Sequence, residues 1–175
     1  MSVALGTEAP QFDLPGVDGQ NHSLDSYQDV EALVLVQSCN HCPYVQAWED
    51  RLSAVAREYA DRGVRVVAVN SNDAENYPDD SFEEMRKRAS ARGFEFDYLF
   101  DEPQAVAREL GAERTPEVFL FDNERRLVYH GAIDDNRDET GVSQQYLRDA
   151  LDAVLSGQDP PLAETPPVGC TVKWK

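Results

Sequence analysis

The chain has 175 residues, 41% of them hydrophobic and 28% charged, which suits one domain whose core needs no disulfide to support it. No stretch approaches the roughly 18 consecutive apolar residues of a membrane span, and a net charge of -17 repels nucleic acid and anionic membrane, so neither is expected as a partner. Only three of the 16 basic residues are lysines (Lys87, Lys173 and Lys175), and carboxylates run along the whole chain. That pattern is the one found in salt-rich cytoplasms, where screening shortens repulsion to a few Å and dense carboxylates keep a protein dissolved. Residues Met1 to Glu8 hold no basic segment followed by an apolar core, so the expected location is the cytoplasm.

In chain order, residues 7–27 carry short extended pieces around Asp18-Gly19 and read as a small hairpin. The apolar run Ala32-Leu33-Val34-Leu35-Val36 predicts a buried strand over 31–38. Val45, Trp48, Leu52, Val55 and Tyr59 then recur at helical spacing, predicting a helix over 43–62 that Gly63 ends. Val64 to Asn70 is β-branched and apolar, as in an interior strand of a parallel sheet. Ser81 and Glu84 form a capping-box pattern for a helix reaching about Arg92. Phe96 to Phe100 predicts a strand and Gln104 to Leu110 a short helix stopped by Gly111. Val118 to Phe121 and Leu127 to His130 flank a turn and read as an antiparallel pair, and an amphipathic helix follows over 143–156. These elements make one domain over 1–157, while the proline-rich segment 158–175 predicts an irregular tail packed back on it.

Cys39 and Cys42 stand three apart where the first buried strand passes into a helix. Free backbone N–H groups and the helix dipole favour an anion there, so a thiol at that point has its pKa lowered. Cys39 is expected to be the reactive thiol, and Cys42, about one turn on, to attack a mixed disulfide formed on it. Pro43 fits the first turn, where a missing N–H costs little. His41 is an accessory candidate that promotes the thiolate when charged, or else faces solvent. Cys170 is the other accessory candidate, either a third active thiol or a small packed tail residue.

A Cys-x-x-Cys pair at a strand-to-helix junction within a βαβ pattern, followed by Arg114-Thr115-Pro116-Glu117 before a strand, resembles the thioredoxin superfamily. The resemblance implies an α/β thioredoxin fold, with a central mixed sheet flanked by helices, an N-terminal β-hairpin extension and an irregular C-terminal tail. It also implies that Pro116 is cis and that Thr115 and Pro116 position the substrate beside the thiols. The N-terminal Ala-Pro-x-Phe-x-Leu, the hairpin, Cys39-Asn40-His41-Cys42-Pro43-Tyr44-Val45, Asn70-Ser71-Asn72-Asp73, Tyr77 to Phe82 and Pro167-Val168-Gly169-Cys170 are similar to the alkyl hydroperoxide reductase/thiol-specific antioxidant branch, among redoxin-domain proteins. Leu33 stands where thioredoxin has a buried acid. Cys39 stands where peroxiredoxins have the threonine of Thr-x-x-Cys, so their peroxidatic cysteine corresponds to Cys42.

The function expected is thiol–disulfide oxidoreductase, with a protein or small-molecule disulfide as substrate and a cellular thiol as reductant. One alternative is a thiol-dependent peroxidase acting on peroxide, in which Cys170 resolves a sulfenic acid. The other is a metal-binding module using Cys39, Cys42 and Cys170 with His41. No phosphate-cradling glycine loop or dinucleotide fingerprint is present in the sequence, so no organic cofactor is expected.

Overall fold

The computed structural model describes residues 2–175. Strands β1 (Asp13–Pro15) and β2 (Asn21–Ser23) pair antiparallel across the Asp18-Gly19 turn, as the hairpin pattern predicts. Strand β3 (Ala32–Ser38) leads into helix α1 (Pro43–Tyr59), and β4 (Val64–Asn70) returns parallel to β3 with Val34 opposite Val66. Helix α2 (Phe82–Arg92) follows, capped by the Ser81 hydroxyl accepting the Glu84 N–H, and then β5 (Asp97–Phe100) lies parallel to β4. Helix α3 (Ala105–Leu110), the short β6 (Arg114–Thr115), β7 (Glu117–Phe121), β8 (Leu127–Gly131) and helix α4 (Tyr146–Leu155) complete the domain. The five-stranded sheet has the order β5-β4-β3-β7-β8, with β7 antiparallel to both neighbours. This mixed sheet between helices is the thioredoxin fold.

Strand periodicity divides the core. Val34 and Val36 point to the face covered by Trp48, Leu52 and Val55 of α1 and by Leu147 and Leu151 of α4. Leu33 and Leu35 point to the other face, under Val106 and Leu110 of α3 and Phe12 and Leu14 of the N-terminal extension. Both faces of β3 are therefore dry, and each buried Val or Leu contributes about 1.5–3 kcal/mol relative to exposure. The consequence for the site is positional: β3 is held from both sides, so the loop that leaves its end starts from a fixed point.

Two ends differ from the sequence pattern. Helix α1 stops at Tyr59, and 60–62 form a tighter 3-10 turn before Gly63 at φ +79. Helix α4 starts at Tyr146 because the Ser143 N–H and hydroxyl are both taken by the Asp135 carboxylate. A larger correction concerns the tail, which is not wholly irregular. Residues Cys170–Thr171 form a strand, β9, antiparallel to β6, with Thr115 opposite Cys170. Two residues give no alternation to read, so pattern alone does not signal this strand.

The tail is fastened on the way. The His130 N–H donates to Ala163 O and the Thr165 N–H to His130 O, both at 3.0 Å, while the Thr165 hydroxyl accepts from the Ala132 N–H at 3.0 Å. Gly131 makes this approach feasible. Its φ is +150, and a Cβ there would lie 2.1 Å from Thr165 Oγ1 and 2.4 Å from Thr165 O. Gly131→Ala is expected to lower stability by about 3 kcal/mol, read from the urea midpoint at constant slope. A change within about 0.5 kcal/mol would contradict this account of the anchor.

Candidate active site

Four residues separate the end of β3 from α1, and buried polar groups fix their path. The Asn40 N–H donates to Asp80 Oδ1 at 2.6 Å, its amide nitrogen donates to Asp79 O at 3.0 Å, and its amide oxygen accepts from Tyr98 OH at 2.7 Å. Gln46 Nε2 donates to Asn40 O at 2.9 Å. Asp80 is fully buried and also accepts from Asn72 Nδ2 at 3.0 Å and from His41 Nδ1. An unpaired carboxylate at that depth would be costly, and these donors are what allow it to remain there. The loop is thereby clamped to the segment before α2, and His41 lies stacked on Tyr77 with ring centroids 6.1 Å apart.

The clamp sets the sulfurs at the start of α1. Cys42 is the N-cap residue and Pro43 the first helical position. Cys39 and Cys42 are 2% and 0% exposed, and Cys170 of β9 packs against them with Val45 and Tyr44. The other wall is the cis peptide Thr115-Pro116: the Cys39 sulfur lies 3.5 Å from the Thr115 hydroxyl, and the Cys42 sulfur 3.4 Å from the Thr115 carbonyl oxygen. Glu117 holds this wall in turn, accepting the Glu113 and Arg114 N–H groups at 2.9 Å and meeting His130 Nε2 at 2.6 Å.

The three thiols do not share their protons equally. The Cys39 thiol donates to Cys42, and this bond, with those from the Cys170 thiol and from backbone N–H groups of Val45 and Cys170, pulls Cys42 down to about 4 against the cost of burial. Cys39 is pushed far up by the same bond, by burial and by the charge of Asp80. Cys170 is pushed up to about 11, first by burial and then by its bond to Cys42. These bonds favour the proton on Cys39 over Cys42, whereas position in the sequence favours the thiolate on Cys39. The physical reason is that the Cys39 and Cys170 thiols and the Val45 and Cys170 N–H groups donate toward Cys42, outweighing the Thr115 carbonyl oxygen 3.4 Å from its sulfur, while Cys39 feels the charge of Asp80.

All the residues singled out by sequence are in this region. Thr115, Cys39, Cys42 and Cys170 meet directly, Pro116 follows Thr115 through the cis bond, and His41 is joined through Asp80. His41 is not simply turned to solvent, yet any positive charge on it is matched by Asp80. Among the described residues at this site, the donor atoms that come together as a potential metal group are those of Cys39, His41 and Asp80, within 4.8 Å of one another, and not the three sulfurs; a second such group, Asp18, His22 and Asp97, lies elsewhere. Asp80 is already committed to the Asn40, Asn72 and His41 bonds. A hollow of 460 Å³ beside the site is lined by Asn40, His41, Gln46 and Arg88, and no cysteine lines it. Asp80 and Asn40 are the site residues that sequence reasoning missed. Both lie in segments quoted for the family resemblance, but an Asp in a polar loop carries no sign that it will be buried.

A hypothetical protein of Sinorhizobium meliloti is 42% identical, with 100% of this chain and 97% of that one covered at a TM-score of 0.94. An uncharacterized conserved protein of Geobacillus kaustophilus is 43% identical, covering 98% and 93% of the two chains at a TM-score of 0.93. The peroxidoxin BcpB of Mycobacterium tuberculosis shares the fold at 20% identity, with 89% and 95% covered and a TM-score of 0.61. No curated protein sequence matches. The AhpC/TSA family pattern matches residues 5–130, which hold the thiol pair and the Thr115-Pro116 wall, and the chain belongs to the AhpC/TSA family.

Proposed function

We propose that this protein is a thiol–disulfide oxidoreductase whose redox couple is the Cys39–Cys42 pair. The observation that carries the reading is geometric: two buried cysteines side by side at the start of α1, against the cis Thr115-Pro116 peptide, in surroundings that favour the thiolate on Cys42 and the proton on Cys39. A thiolate is the form that attacks disulfides, and an adjacent thiol then displaces the partner and closes the ring. In this assignment Cys42 is the nucleophile and Cys39 the resolving thiol. Thr115 and Pro116 form the wall that holds the two sulfurs in place, and Asp80, through Asn40 and His41, is a positioning residue. The electron donor is a cellular thiol. Membership in the AhpC/TSA family supports thiol redox chemistry in general.

Stabilising the Cys42 thiolate favours the reduced state, so the Cys39–Cys42 disulfide is a better oxidant than one formed from ordinary thiols. A second reading, thiol-dependent peroxidase, is favoured by one observation: Cys170 packs beside Cys42, where a thiol resolving a sulfenic acid would stand.

Two measurements test the assignment. Because the folded value of Cys42 lies below that of a free thiol, its thiolate is present above about pH 4 and disappears on acidification through that point. Absorbance at about 240 nm in the reduced protein is expected to follow that titration and to be absent at pH 6 from Cys42→Ser; a lone transition near pH 8.5, as for a free thiol, contradicts it. In turnover of a small disulfide, Cys42→Ser is expected to lose about a hundredfold and Cys39→Ser at least about tenfold. Hydrogen peroxide consumption that survives Cys39→Ser at the wild-type rate, with disulfide turnover negligible in both proteins, would favour the peroxidase instead.

A further inference from the structure

The segment that carries Cys170 lies against the buried Cys39–Cys42 pair. Strand β9 runs along β6 with Cys170 opposite Thr115, and the ladder continues with the Val172 N–H donating to Glu113 O at 3.1 Å. Gly169 lies flat on the wall of the site: a Cβ there would be 2.0 Å from the Thr115 carbonyl oxygen and 3.2 Å from Pro116 N. Beyond it the Lys173 N–H donates to Asn72 Oδ1 at 2.9 Å, Lys173 O accepts from the Asp73 N–H and from Gln104 Nε2, and Trp174 lies under the Arg108 guanidinium. Without this segment β6 would be a bare strand edge beside the thiols, the kind of edge to which an extended peptide adds by backbone pairing. The tail fills that edge, and it carries a cysteine at the register position facing the thiols.

We propose that Cys170 is the third member of the redox site, exchanging a disulfide with Cys42, and that the tail carrying it limits external partners to low-molecular-weight thiols and disulfides. The inference rests on the oxidoreductase reading above. Of the three sulfurs, those of Cys39 and Cys42 belong to residues at 2% and 0% exposure, while Cys170 is half-buried. An external reagent therefore meets Cys170 first.

The exchange balances as follows. In the oxidised protein the Cys170 thiolate attacks the Cys42 sulfur; the Cys42–Cys170 bond forms, the Cys39–Cys42 bond breaks, and the electron pair leaves with Cys39, which takes the proton released by Cys170 and, as the poorer leaving group, makes this the slow step. An external thiolate then attacks the Cys170 sulfur, a Cys170 mixed disulfide forms, and the electron pair stays on Cys42 as its thiolate. That leaving group is the most stable anion among the three, which makes this step the easy one. A second external thiolate releases Cys170 and carries away the external disulfide. Overall one protein disulfide is reduced and two small thiols are oxidised.

The exclusion of extended protein segments follows from tethering. A strand joined to the domain through about fifteen residues of its own chain competes at an effective concentration in the mM range, so a protein segment at about 1 μM faces a roughly thousandfold disadvantage for the same edge.

The test uses the full chain in three forms. Wild type and Cys39→Ser are each treated with one equivalent of oxidised glutathione, quenched by alkylation and mapped without reduction. Wild type is expected to give Cys39–Cys42, and Cys39→Ser an intramolecular Cys42–Cys170 disulfide. Cys42 and Cys170 both free in Cys39→Ser, beside a normal wild-type product, overturns this inference alone; absence of the Cys39–Cys42 product in wild type overturns the oxidoreductase reading beneath it. Independently, Cys170→Ser is expected to slow reduction of the oxidised protein by glutathione at least tenfold, and an unchanged rate overturns the relay. Gly169→Ala, which forces β9 off Thr115, is expected to raise reduction of insulin at least tenfold, and an insulin rate equal to wild type overturns the proposed exclusion.

Discussion

A thiolate held out of water needs donors, and this requirement explains much of what surrounds Cys42, whose sulfur also lies 3.4 Å from the Thr115 carbonyl oxygen. Two neighbouring thiols and the N–H groups of Val45 and Cys170 supply those donors, and they outweigh the cost of burial. None of them is placed by the Cys-x-x-Cys spacing alone. The Cys39 thiol comes from the loop clamped by Asn40 and Asp80, the Val45 N–H from the first turn of α1, and the Cys170 donors from a strand that has travelled back across the molecule. One anion is thus supported by three separate parts of the chain.

Those parts are held in turn by buried polar groups. Asp80 gathers the active-site loop, Asn72 and His41 around one carboxylate, and Glu117 secures Thr115 by accepting the two N–H groups just before it and meeting His130. Both acids are almost fully buried, and each accepts from several donors. Removing either partner would leave an unpaired charge, which typically costs about 3–5 kcal/mol, so these networks fix the geometry more firmly than packing alone. The buried acid that thioredoxin places on the strand before its cysteines is absent, since Leu33 is there, and the nearest carboxylate is Asp80, reached from the α2 side.

The parts legible in the sequence were those with a period. The runs Ala32 to Val36 and Val64 to Val69, buried on both sides, announced parallel strands, and the spacing of Trp48, Leu52 and Val55 announced the helix between them. Chemistry-bearing residues at fixed local spacing were equally visible: Cys39, Cys42 and the Thr115-Pro116 step lie in one place. What could not be read was set by contacts distant in sequence. The burial of Asp80 depends on donors up to 40 positions away, and the pairing of Cys170 with Thr115 joins a two-residue strand to the far side of the chain. The charge on Cys42 belongs with these, because two of its donors come from Cys170. A local rule about helix N-termini identifies the pair but does not decide which sulfur carries the anion.

The central claim, that Cys39 and Cys42 form a reversible two-electron couple, is tested most directly by equilibrating the wild-type protein across a series of glutathione redox buffers and counting thiols at each. The account predicts one reversible transition in which two thiols are lost together, a potential less negative than the roughly −270 mV of thioredoxin, and Cys39–Cys42 as the bond present at its oxidised end. Oxidation that proceeds one thiol at a time, or that ends in a species glutathione does not return to the starting protein, would contradict it.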